Sequence, residues 1–124
     1  MELNTINIIT LAYLGDSIYE VYIRESLLKN GLCRVDDMQK EAVNYVSARS
    51  QAKILDELLN NNYLTEEEIE IVKRGRNYKR STHPKNTDII TYKLSTGFES
   101  LIGYLYLSNQ KERLKEILEH IEVK

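Results

Sequence analysis

The chain has 124 residues, 42% hydrophobic and 29% charged, with 17 Lys and Arg against 19 Asp and Glu and a formal net charge of −2. Its length is enough to bury a core without covalent staples. The lone cysteine, Cys33, excludes an intrachain disulfide, and neither a basic leader nor a membrane-length apolar run is visible. The expectation is one domain over 1–124, cytoplasmic and without a membrane partner.

In chain order, nearly every segment reads as helix. Leu11, Leu14, Ile18, Tyr22, Ile23 and Leu27 recur at helical spacing from about Thr5 to Asn30, and Gly31 is a good C-terminal stop. Asp36, with Gln39 three residues on, reads as the N-cap of a short helix to about Val46. Ser47 can cap a third helix carrying Ala52, Ile54, Leu55, Leu58 and Leu59, which Asn60, Asn61 and Asn62 end. Thr65 with Glu68 forms a capping box, and the acids of that first turn suit the positive end of the helix dipole. This helix is predicted to stop near Arg74, with Gly75 and Pro84 bracketing a loop. Asp88 opens the last long helix, whose apolar face includes Phe98, Leu101, Ile102 and Leu105. An amphipathic helix from about Lys111 to Ile121 closes the chain. No strand is expected, so the predicted class is all-α.

Charge is segregated. Lys73, Arg74, Arg76, Lys79, Arg80 and Lys85 fall in a stretch from 73 to 87 that holds no acid, just after Glu66, Glu67, Glu68 and Glu70. Despite the acidic net balance, a phosphate-bearing partner would feel that local patch.

Among residues able to do chemistry, His83 and His120 stand near no nucleophile, and Cys33 lacks an obvious base. The informative acids sit in apolar company. Asp16 lies inside LAYLGDSIYEVY, where both Asp and the adjacent Gly15 disfavour helix; glycine alone costs roughly 1 kcal/mol relative to alanine. Glu99 lies in GFESLIGYLYL between Gly97 and Gly103, and residues 96, 99 and 103 share one helix edge. Two readings stand at this level. The glycines mark helix crossings beside solvated acids, or they let a second backbone or a substrate reach two carboxylates able to share a hard divalent cation.

LAYLGDSIYEVYIR resembles the signature stretch of the ribonuclease III family, centred on a Leu-Gly-Asp step, and FESLIGYLYL resembles that family's second acidic motif. VSARSQAKIL, KRGRNYK and HPKNTDIITYKLSTGFE are similar to its short branch, Mini-ribonuclease III, which lacks a double-stranded RNA-binding domain. The resemblance, covering about Thr10 to Leu107, implies a ribonuclease III catalytic-domain fold of about six to seven helices forming a homodimer. It makes Asp16 and Glu99 the catalytic acids and the ligands of Mg2+, for which Mn2+ can substitute. Two further acids of the longer enzymes are replaced here by Ala12 and Thr96, which implies more waters or phosphate oxygens on the metal.

The implied activity is endonucleolytic cleavage of double-stranded RNA, leaving 5′-phosphate and 3′-hydroxyl ends, with the 23S ribosomal RNA precursor as substrate and a large-subunit ribosomal protein as a candidate partner. Without an appended RNA-binding domain, the grip falls to Arg74, Arg76, Lys79, Arg80 and Lys85, with Arg49 and Asn77 as weaker candidates and Tyr78 as a candidate stacking residue. Asn77 could bond a 2′-hydroxyl, but reads rather as a turn cap. The alternatives are a non-catalytic RNA-binding module of the same fold associated with ribosome assembly, and a helical adapter whose basic loop faces an acidic protein.

Overall fold

A computed structural model describes residues 2–79, 88–121 and 123. After a 3-10 turn at Leu3–Thr5, six helices follow: α1 (Ile8–Lys29), α2 (Val35–Val46), α3 (Ala48–Asn60), α4 (Glu66–Arg76), α5 (Ile89–Leu107) and α6 (Lys111–Glu119). No strand occurs among the described residues, as the periodicities predict.

The most apolar helix, α5, takes the centre. It packs along α1 most extensively, then along α4 and α3, with α6 against its C-terminal end. Tyr19, Ile23 and Leu27 of α1 meet Phe98, Leu101, Ile102 and Leu105 of α5, all fully buried. Tyr19 and Phe98 stack edge to face with centroids 5.2 Å apart. The buried Tyr19 hydroxyl donates to the Tyr45 carbonyl at 2.9 Å, which ties the C-terminal end of α2 to α1. Burial, the first cause, with the neighbouring Tyr22 and Tyr45, pushes that phenol well above its ordinary range.

Several helix ends are set by the signals in the sequence. Ser47 and Asp88 accept from the backbone amides of Ser50 and Thr91. The Thr65–Glu68 capping box is complete, with the Thr65 amide donating to Glu68 at 2.9 Å and the Glu68 amide to Thr65 at 3.2 Å. Three expectations are corrected. The first helix begins at Ile8 under an Asn7 cap, because the residues from Leu3 to Thr5 are used in a 3-10 turn. Asp36 is not a cap: α2 starts at Val35 behind Arg34, and Asp36 and Asp37 sit in the first turn, where their charge favours the helix dipole. Helix α4 runs through Gly75 to Arg76, since tertiary packing of that glycine, described below, overrides its stop signal.

Glu68 also faces α6. Arg113 grips its carboxylate in bidentate fashion, Nε and Nη2 donating at 2.8 Å each, while Nη2 donates at 2.7 Å to the Tyr63 carbonyl. Burial alone would raise the Glu68 carboxyl, but the Arg113 guanidinium and the Thr65 amide together hold it below its ordinary value. A lowered folded-state pKa stabilises the fold above the unfolded carboxylate range, and this contribution is lost as pH falls through the folded value. Arg113→Met is therefore expected to lower unfolding free energy by about 2–3 kcal/mol near neutral pH, by stranding a buried carboxylate. Urea titrations at pH 7 and pH 3.5 check this: the deficit shrinks at the lower pH, and an equal deficit at both would contradict it.

Candidate active site

Asp16 and Glu99 come from different helices and meet because glycine lets α1 and α5 touch backbone to backbone. A Cβ placed on Gly15 would fall inside the Glu99 carbonyl, and one placed on Gly103 inside the Leu11 carbonyl. The two glycines thus hold the crossing from both sides, one residue before Asp16 and four after Glu99. A second crossing holds α4: a Cβ on Gly97 would lie 2.9 Å from the Val72 carbonyl oxygen, and Gly75 packs against Gly97 and Ser100. The glycines mark close helix crossings, and the Gly15–Gly103 crossing is what brings the two carboxylates to one pocket.

The acids line a small open pocket of about 160 Å³ together with Ile9, Ala12, Tyr13, Tyr92 and Thr96. Asp16 and Glu99 are half-buried there. Ala12 and Thr96, one turn before each acid, turn toward the same space, so that space is bounded by four positions from two helices. The Thr96 hydroxyl donates to the Tyr92 carbonyl at 3.0 Å. Behind Glu99, outside the pocket lining, lies Gln51, a residue not singled out by motif reading. It is 1% exposed, and its Nε2 donates to the Val46 carbonyl at 3.2 Å and to Glu99 Oε2 at 3.4 Å.

A second pocket, of about 340 Å³, adjoins the first through shared walls, Tyr92 and Thr96. Gly75, Tyr78, Lys79, Ile89 and Lys93 complete it. The acid pocket therefore neighbours a recess carrying two lysines, built by the end of α4 and the start of α5 and separated from the carboxylates by Tyr92 and Thr96. Lys79 and Tyr78 were expected near it; Lys93 was not, because one lysine on a helix carries no signature. Arg74 is exposed and Arg76 half-buried at the C-terminal end of α4. Asn77 is the C-cap of that helix and accepts from Arg76 Nε at 3.4 Å, in keeping with the turn reading. Arg49 is exposed in the first turn of α3, two residues before Gln51. Arg80 and Lys85, like His83, lie outside the described residues. His120 stacks on Tyr63 with centroids 4.0 Å apart, at a wider concavity of about 580 Å³ whose lining includes neither acid. A rigid duplex needs an open surface, so size does not decide between the two places.

The donor set limits what could bind. Among the described residues, no three His, Cys, Asp or Glu side chains gather around one point. Two carboxylates with no nitrogen or sulfur ligand do not fit a closed zinc site. They do fit a hard divalent cation that keeps several waters, as Mg2+ does.

The chain is similar to known proteins over most of its length. The model of the ribonuclease III domain matches residues 9–110. Mini-ribonuclease 3 of Enterococcus faecalis is 49% identical over 113 residues, covering 91% of this chain and 86% of the relative. That of Symbiobacterium thermophilum is 51% identical over 111 residues, covering 90% and 84%. A crystal structure of a protein from Fusobacterium nucleatum superposes with a TM-score of 0.82 at 33% identity, covering 93% of this chain and 90% of the other.

Proposed function

The chain belongs to the ribonuclease III family, in its short Mini-ribonuclease III branch, and from that premise we propose that it is a Mg2+-dependent endoribonuclease cutting double-stranded RNA. The observation that carries this reading is the pairing of Asp16 and Glu99 in one open pocket beside the recess of Lys79 and Lys93. A non-catalytic RNA binder gains nothing from carboxylates next to its phosphate grip. Asp16 and Glu99 would hold the metal, with waters and phosphate oxygens completing its shell; Mn2+ can take its place. When bound, the ion supplies a deprotonated water for in-line attack and neutralises charge on the phosphate. The chain's own part is to fix two oxygen donors and seat the backbone. Lys79 and Lys93 draw the phosphate to the mouth of the pocket, while Arg74, Arg76, Arg80 and Lys85, with Arg49 and Asn77 at the margins, hold the flanking backbone. Cleavage leaves 5′-phosphate and 3′-hydroxyl ends.

The proposed working unit is a homodimer of single catalytic domains, 1–124, acting in the cytoplasm on the 23S ribosomal RNA precursor, with a large-subunit ribosomal protein as its candidate partner. Dimerisation is supported by exposed apolar side chains on α1. Tyr13, a lining residue of the acid pocket, is 81% exposed, and Val21 on the same helix 63%. Covering such side chains with a second copy of the chain would remove apolar surface from water. Among the described residues, no helix is long and apolar enough to cross a membrane.

The test is incubation with a long RNA duplex in Mg2+ and in EDTA. Internal cuts in Mg2+ alone are expected; retention of the duplex without cleavage in either condition favours the binding-module reading. Sedimentation at micromolar concentration is expected to give a dimer. Arg76→Glu with Lys79→Glu is expected to weaken duplex retention and to reduce the log–log salt slope by about one per lost contact. An unchanged slope would place the grip elsewhere.

A further inference from the structure

Gln51 stands on the buried stripe of α3 with Ala52, Leu55 and Leu58, where an apolar residue would pack at lower cost. Its amide has a fixed sense. Both neighbours of Nε2, the Val46 carbonyl and the Glu99 carboxylate, are acceptors, so a flip would set oxygen against oxygen. In this orientation Gln51 Oε1 is buried and has no hydrogen-bond donor among the described residues. An unsatisfied buried acceptor is unfavourable, so packing alone does not account for a glutamine at this position. What the side chain does with its two donors is specific. One proton holds a carbonyl at the end of α2 and the other holds the carboxylate of α5, so that Glu99 is braced against α2 and α3 as well as carried on its own helix.

On the nuclease reading given above, we propose that Gln51 is a positioning residue for the metal site: it orients the Glu99 carboxylate toward the pocket shared with Asp16 and so sets the affinity for the divalent cation. Hydrogen-bonding partners of a ligating carboxylate commonly change metal affinity ten- to a hundredfold, on the order of the effect expected here.

The experiment is a double-mutant cycle read by Mn2+ binding to the RNA-free protein, using electron paramagnetic resonance to count free ion. Gln51→Met keeps length and removes the donors. In the parent protein it is expected to weaken Mn2+ binding by about tenfold or more. In a Glu99→Gln background, where the carboxylate is already gone, the same change is expected to have less than about a twofold further effect. Equal losses in both backgrounds, or no loss in either, overturn the proposal, because a purely structural glutamine acts the same way with or without Glu99.

Should Gln51→Met not fold, the parent protein gives an independent reading. On titration with Mg2+, the side-chain amide resonances of Gln51 are expected to shift more than those of Gln39 and Gln110, and the shift is expected to vanish in Glu99→Gln. Silent Gln51 resonances overturn the proposal. Cleavage of duplex RNA by the parent with unchanged Mn2+ binding in Gln51→Met refutes the role of Gln51 alone. Absence of metal-dependent cleavage in the parent refutes the nuclease reading and this proposal with it.

Discussion

Gly15→Ala is expected to cost at least about 4 kcal/mol of folding stability, a loss in the exceptional range for a single methyl group. Overpacking a core usually costs about 1–3 kcal/mol, because side chains can rotate aside. Here the obstacle is the Glu99 backbone carbonyl, with the Gly103 amide nitrogen 2.9 Å away. Neither can rotate, so α1 and α5 must separate along the most extensive contact in the fold. Against a total stability of roughly 5–15 kcal/mol, that loss leaves little. Urea or thermal unfolding followed by circular dichroism checks it. A stable, native-like Gly15→Ala protein would mean that the helices do not meet at this point. Alanine at Gly31 provides the contrast. That glycine has open space around it, and its positive φ of 101° makes the penalty local.

Asp16→Asn is the counterpart, a change expected to leave the fold alone and remove the chemistry. The side chain is half-buried at the rim of the pocket, with Glu99 on the opposite wall, and an amide of the same shape fills the same space. The melting temperature is expected to stay within a degree or two, or to rise, since one of two neighbouring negative charges is gone. Cleavage of a duplex in Mg2+ is expected to fall by about a thousandfold or more. That corresponds to the several kcal/mol that metal-borne charge stabilisation contributes to a transition state. Duplex retention in EDTA is expected to be unchanged, because the cationic recess is untouched. Substantial residual cleavage with a normal metal requirement would remove Asp16 from the site.

How much of this could be read in advance follows from which interactions are local. The capping box at Thr65 and the caps at Ser47 and Asp88 are contacts within a single turn, and each is made as the sequence predicts. Helix α5 is legible as the central element because burial on most sides leaves it apolar nearly all round. The residues alone left the pairing of Asp16 with Glu99 as one of two open readings, and only family resemblance chose it and added positions 12 and 96, since no periodicity states which helix edges face each other. Gly75 misled because a glycine after a charged helix end looks like a stop; only the opposing Gly97 and Ser100 show it to be a packing position. Gln51 left a faint signal, a polar residue in register with Leu55 and Leu58, but its meaning depends on a carboxylate 48 residues away in sequence. Lys93 left none.

The crossing of α1 and α5 also has a consequence in time. Where two functional groups sit on elements joined by side chains, the elements can breathe and the groups drift apart while the rest of the molecule persists. Here the joint is peptide against peptide, at Gly15 with Glu99 and at Leu11 with Gly103. No rotamer change can loosen it by half, and the helices it joins carry the core. The spacing of the two acids should therefore last as long as the molecule itself. On heating, loss of cleavage and loss of helical signal should trace one curve, with no inactive but folded stage between them.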